Sequence, residues 1–257
     1  MTISTKSKFY YMDSVTLSNS YVDFDEGGSA LAAQLDSGSY SLTAFASELA
    51  RAMTAAGGQT YTVTFNRSTR KITIAADGTF SLLLSSGSHT GSSALVLAGF
   101  SGGSDRTGTN SYVGASTCGY EYKPQYLLQK YVPSTNFQKE VMPSVNESAS
   151  GKIEVLSFGT VNFIEMIIPF CTDISQGASS PIENNSSGVD NINSFLQAIT
   201  KKIDFEFMPD RDTESTFQKV LLESTSLDKK GVGYKLKEMF PLAGYFTTGK
   251  LTLRVVT

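Results

Sequence analysis

The sequence predicts a β-rich α+β protein of two domains, each an antiparallel sheet with one or two packed helices. Ser, Thr and Gly are abundant and charged residues make up only 18% of the 257 positions. That mixture suits many strands and turns better than a helical bundle. Apolar residues reach 40%, with 16 Phe, 12 Tyr and no Trp, enough for a real core in one large or two ordinary domains. Short runs alternate at period two in both halves, while one long run repeats at the helical period.

Residues 9–35 read as strands, with Val15 and Leu17, then Val22 and Phe24, alternating with polar neighbours. Gly27-Gly28 and Gly38 mark turns. Leu42, Phe45, Ala46, Leu49, Ala50 and Met53 then follow i, i+3, i+4, i+7, i+8, i+11 spacing, the apolar face of a helix. Ser41 is its expected N-cap and Gly57-Gly58 its end. In the hairpin that follows, Tyr61, Val63 and Phe65 alternate with Thr62 and Thr64. After Asn66 to Thr69, Ile72 and Ile74 alternate with Lys71 and Thr73, so a polar turn joins two strands. A turn at Asp77-Gly78 should lead to a third strand over Phe80–Leu84. A short helix over Ser92–Leu97 should stop at Gly99. Residues 99–119 are rich in Gly, Ser and Thr. The domain boundary is placed at their end, giving an N-terminal α+β domain over 1–120 and a C-terminal β-rich domain over 121–257.

In the second half, strands are expected over 152–158 and 161–168, with a polar loop over 175–188. Asp190 should cap a helix with Phe195, Leu196 and Ile199 on its inner face. Ile203, Phe205 and Phe207 alternate with Asp204 and Glu206, which reads as a strand with a solvated face. Strands over 217–222 and 250–256 follow, with Leu251, Leu253 and Val255 on one side.

The net charge is −3 and the pI about 5.3. No Lys/Arg stripe stands out, so no nucleic-acid surface is expected. No apolar run has the length of a membrane helix, and the start, MTISTKSKFYYMDS, lacks the apolar region of a secretory signal. Cys118 and Cys171 are read as buried free thiols of a protein made in a reducing cytoplasm.

Candidate chemistry is sparse. His89, the sole histidine, lies in SSGSHTGSS without metal-ligand spacing and is expected to be a solvated loop residue. Asp23, Asp25 and Glu26 precede a Gly turn. They could offer oxygens to calcium, but they lack the EF-hand spacing and read as a solvated strand face. Asp204, Glu206, Asp210 and Asp212 could supply paired carboxylates, yet plain amphipathic alternation explains them, with Lys201, Lys202 and Arg211 nearby to neutralise. Gly99 to Gly108 does not end as a phosphate loop does, and no nucleophile elbow is present. The sequons at Asn66, Asn146 and Asn185 carry no weight without a secretory route. The expectation is therefore a non-enzyme with no catalytic, cofactor-binding or metal residues and no cofactor.

The ordered segments GSYSLTAFASELARAMTAAG, YTVTFNRSTRKITIAADGTFSLLLSSG and SSALVLAGFSGGSDRTGTNSYVG resemble a pattern in virion structural proteins of tailed phages and some other large DNA viruses. The pattern is a Gly-x-Tyr turn (here Gly38 to Tyr40), a Leu/Ala helix (Leu42 to Gly57) and a YTVTYN-type hairpin (Tyr61 to Ile74). A FSLL strand follows with a Ser-Gly end (Phe80 to Gly87), then Gly99-Phe100 and an Asp-x-Thr-Gly (Asp105 to Gly108). The matched set covers roughly a third of the chain. Phe65 replaces the usual Tyr, and Arg70 stands where Gly is common. The second half, with Ala149 to Lys152 and a terminal TTGKLTLRVV, looks like tail-tip or connector proteins. The resemblance implies a virion structural protein of the tail, baseplate or neck, a ring or bridging subunit. Its partners would be copies of itself and neighbouring virion proteins, with neither membrane nor nucleic acid. It carries over no site residues. The alternative is a carbohydrate- or receptor-binding module of the tail, which should present an aromatic platform with convergent polar groups.

Overall fold

The structure is a computed structural model. It describes residues 2–4, 7–12, 15–124, 127–129, 137–140, 144–147, 153–156, 160–168, 192–200, 204–209, 217–225, 237–239 and 242–256. The elements in the first half are β1 (Thr2–Ser4), β2 (Lys8–Tyr11), β3 (Tyr21–Asp25), β4 (Leu31–Gln34), α1 (Leu42–Ala56), β5 (Tyr61–Asn66), β6 (Lys71–Leu82), β7 (Arg106–Val113) and β8 (Tyr120–Tyr122). Next come β9 (Leu127–Gln129), β10 (Phe137–Glu140), β11 (Ser144–Glu147), β12 (Ile153–Leu156), β13 (Thr160–Ile167) and α2 (Ile192–Thr200). The chain closes with β14 (Phe205–Met208), β15 (Gln218–Thr225), β16 (Lys237–Met239), β17 (Leu242–Thr247) and β18 (Lys250–Val255). Sheet-rich α+β architecture with antiparallel pairing is what the sequence predicts.

Helix α1 forms where the periodicity places it. Ser41 is its N-cap, the hydroxyl accepting from the Ala44 N–H. Leu42, Phe45, Ala46, Leu49, Ala52 and Met53 are buried. They pack in one core with Phe24, Tyr61, Phe65, Ile72, Ile74, Phe80 and Leu82 of the first sheet. That sheet is built on β6. Residues 71–76 of β6 pair with β5, and its last two residues pair with β3, which in turn pairs with β4. Strand β7 lies along the other edge of β6. On β5, Tyr61 and Phe65 point inward while Thr62 and Thr64 face solvent, as the two-residue period requires.

Two local expectations are corrected. Asp77-Gly78 is not a turn, because β6 runs through it. The Gln59 side chain stands in for a neighbouring strand there: its Oε1 accepts from the Gly78 N–H at 3.1 Å and its Nε2 donates to the Thr79 carbonyl at 3.0 Å. The Gly/Ser/Thr-rich stretch contains β7. The segment expected as a helix over 92–97 is a 3₁₀ turn at Thr90–Ser92 followed by one further turn. That turn closes with Phe100 N–H on Leu95 C=O and Gly99 N–H on Val96 C=O, the paired bonds of a Schellman C-terminus.

Gly99 has φ +81, and a Cβ there would lie 2.3 Å from the Ser116 carbonyl oxygen. Gly99→Ala should therefore lose about 1–3 kcal/mol from backbone conformation alone, with the clash adding to it. Thermal melting of the full chain reads the loss. A change within error of wild type would mean that this turn is not fixed as described.

The larger sheet runs β1-β9-β13-β18-β15-β14-β2-β8, with β10 also on β13. Its core gathers Phe9, Tyr11, Tyr122, Phe195, Leu196, Ile199, Phe205, Phe207, Val220, Leu222, Leu251 and Leu253. Phe195 of α2 lies 4.7 Å from the Phe9 ring and 4.8 Å from the Tyr122 ring. Strands β1 and β2 thus belong to the sheet of the second half, and a boundary at residue 120 does not part the two sheets. The physical reason is visible on β2 and β14, which pair with each other and are buried along their whole length. Phe9, Tyr11, Phe205 and Phe207 enter the second core, whereas Tyr10, Met12 and Met208 enter the first. Each strand is covered on both faces. The expectations at 175–188 and Asp190 lie outside the described residues, as does Cys171. Cys118 is a buried free thiol, and burial pushes it up to about 12.

Candidate functional site

The first acidic cluster is not a solvated face. Asp23 is 4% exposed, and its carboxylate holds the loop after β6. Its Oδ2 accepts from the His89 backbone N–H at 2.6 Å, and its Oδ1 lies 2.8 Å from His89 Nδ1. The imidazole stacks on Tyr21, centroids 4.1 Å apart. His89 is therefore an anchored residue and not a solvated one. A Cβ at Gly87 would meet the Asp23 side chain at 2.3 Å, so the loop wraps this carboxylate closely. Asp25 instead accepts from the Gly27 and Gly28 N–H groups. Glu26 accepts from the N–H groups of Gly58 and Gln59 and from the Tyr61 hydroxyl, closing the end of α1. The three carboxylates serve three separate places. Among the described residues no group of three or more His, Cys, Asp or Glu converges as a metal site would require.

Asp105, in the resemblance's Asp-x-Thr-Gly, accepts from both the backbone N–H and the hydroxyl of Ser85 and of Ser86. These bonds, that of the Ser86 hydroxyl foremost, hold its carboxyl down to about 2, below its ordinary 3.8. A depressed folded-state value contributes stability above the unfolded value and loses it as pH falls through the folded one. The melting-temperature gap between wild type and Asp105→Asn should thus be full above about pH 4 and close as pH falls toward about 2. A gap that is constant with pH would mean that the contacts are not carried by the ionised carboxylate.

The second acidic run divides just as sharply. Asp204 pairs with Lys219 at 3.3 Å, both side chains partly exposed. Glu206 is completely buried, against the expectation of a solvated strand face. Its Oε1 accepts from the Thr43 N–H at 3.2 Å and the Thr43 hydroxyl at 2.6 Å, sitting at the positive end of the α1 dipole. Its Oε2 accepts from Arg67 Nε at 3.1 Å. Arg67 comes from the β5–β6 turn, and its guanidinium covers the Phe217 ring at 3.6 Å. Its carbonyl accepts from the Tyr10 hydroxyl at 2.8 Å. In the same turn Arg70 has φ +53 and points toward Glu121 of β8 at 3.7 Å. The hairpin tip is thus clamped into the larger sheet. Asp210, Asp212, Arg211, Lys201 and Lys202 lie outside the described residues.

A shallow groove is the remaining concave feature of note. Phe163, Arg254 and Leu221 stand in register across β13, β18 and β15. Leu221 and Arg254 alternate with the core residues Val220, Leu222 and Leu253, so they point to the opposite face. The groove has a volume of about 380 Å³, with walls of Val161, Leu221, Val255 and Val256 and polar groups from Asn162, Asp204 and Arg254. Asp204 is engaged by Lys219. Arg254 is half-buried, and its side chain makes no hydrogen bond or ion pair among the described residues. Its guanidinium can take a carboxylate or phosphate in a bidentate fork. No local pattern signals the groove, because its walls come from separate strands, with Val161 on one and Leu221 and Val255 on others.

The described aromatic side chains are mostly interior. Among the described residues the exposed large apolar side chains are Leu17, Val96 and Val113, with Tyr120 the single aromatic at 39%. No described helix is long and apolar enough to cross a membrane. No protein-family model matches the chain, and no curated protein matches it.

Proposed function

We propose that the chain is a structural subunit of a tailed-phage particle. It would serve in the tail tip, baseplate or neck, in contact with copies of itself and neighbouring virion proteins. It would be made in the host cytoplasm and carried in the virion. The observation that carries this reading is that the ordered segments of the resemblance form one packed body. The helix and hairpin share a core, Gly99-Phe100 closes its Schellman turn, and Asp105 ties that body's loops together. The segments that carry the resemblance thus lie in one packed body of this chain. The outer face of the first sheet supports the reading further. The cross-strand rows Thr62–Ala75–Ser111 and Thr64–Thr73–Val113 carry no charge, with Val113 59% exposed, and uncharged centres characterise subunit contacts. The alternative, a carbohydrate- or receptor-binding module, draws on the polar groups of the groove, whose walls among the described residues are aliphatic and include no stacking ring.

The test is purification of native particles from cells producing a tagged chain. The tag should co-purify stoichiometrically through density-gradient centrifugation and be visible at a fixed position in cryo-imaging. Absence of the tag from purified particles overturns the reading.

A further inference from the structure

Resting on that reading, we propose that the groove between β13, β15 and β18 is the seat for an acidic side chain of a neighbouring protein, its carboxylate on Arg254. The argument is one of charge balance. Asp204 is matched by Lys219, and Glu165 on the adjoining strand is matched by Lys250 at 2.9 Å. Among the described residues the guanidinium of Arg254 makes no ion pair, in a half-buried position lined by Leu221, Val255 and Val256. An arginine held against aliphatic walls loses hydration without gaining a partner, and a carboxylate restores the balance through two parallel N–H···O bonds. The walls select what accompanies that carboxylate. They reward aliphatic groups flanking the acid and give nothing to a bare, hydrated ion. The occupant that fits is a Glu or Asp flanked by small aliphatic residues on an extended segment.

The full-length chain, labelled with ¹⁵N, can be titrated with acetyl-Val-Glu-Val-amide, with acetyl-Val-Gln-Val-amide and with inorganic phosphate. The Glu peptide should shift the Leu221, Val255 and Val256 amide resonances saturably and bind about tenfold more tightly than the Gln peptide. Arg254→Gln should erase that preference, and Arg254→Lys should retain part of it. Matched melting temperatures for the variants separate lost recognition from lost fold. Absence of saturable shifts, equal binding of the two peptides, or phosphate binding as tightly as the Glu peptide would each overturn the proposal. So would shifts of the same resonances on simple dilution, which would assign the groove to a second copy. Because the chain is assayed alone, this result is independent of whether the tagged chain is found in particles.

Discussion

Phe45→Ala should cost about 3–5 kcal/mol, against a total stability of roughly 5–15 kcal/mol for a typical domain. Phe45 has no exposed surface, and it lies in the core that α1 shares with the first sheet. Removing the ring leaves a cavity that the surrounding strands can close only in part. Thr62→Ala supplies the contrast. Thr62 is exposed on the opposite face of β5, and its loss should cost under about 1 kcal/mol. Urea unfolding of the full chain measures both, and amide exchange localises the damage to β5 and β6. If the two variants unfold at the same denaturant concentration, the helix face or the strand register is wrong. On the proposed function, the Phe45→Ala chain should also be excluded from particles while Thr62→Ala is incorporated.

Glu206→Ala should cost about 3–5 kcal/mol, because it strands a buried cation. The Arg67 side chain is 15% exposed and that of Glu206 not at all. Their attraction need not exceed the cost of desolvating both, so the prediction concerns breaking the pair and not its net worth. The neighbouring acid tests the distinction. Asp204→Ala removes a pair whose side chains are 27% and 32% exposed, and such surface pairs contribute about 0–1 kcal/mol. The double variant Arg67→Met with Glu206→Leu should recover most of the loss. Equal destabilisation by Glu206→Ala and Asp204→Ala would show that Glu206 is not sealed between the two cores.

What the sequence discloses is local. The helix over Leu42–Ala56 and the hairpin of β5 and β6 follow from periods of 3.6 and 2, and Ser41 announces its cap. Asp77-Gly78 misleads because the Gln59 side chain, 19 positions before Gly78, completes the strand's hydrogen bonds. Glu206 misleads for a deeper reason. Alternation of Phe205, Glu206 and Phe207 has the form of a strand with one wet face, and only the packing of a second core reveals that neither face is wet. A hint was present in the Arg70 that stands where Gly is common. The position adopts the left-handed backbone that Gly would favour, and Arg70 occupies it with its side chain directed toward Glu121. The pairing of His89 with Asp23 joins residues sixty-six positions apart, a separation no local pattern carries.

Strands β2 and β14, covered on both faces, set a schedule for biosynthesis. Tyr10 cannot meet Glu206 until some two hundred further residues have been made, which at about 5–20 residues per second takes about 10–40 s. Throughout that interval Phe9 and Tyr11 stand without the second core they will join, whereas the first core, which takes Tyr10, can form from residues already made. The segment most exposed to aggregation or chaperone capture is therefore one made long before its partners, and the first sheet can condense while its neighbour is still untranslated.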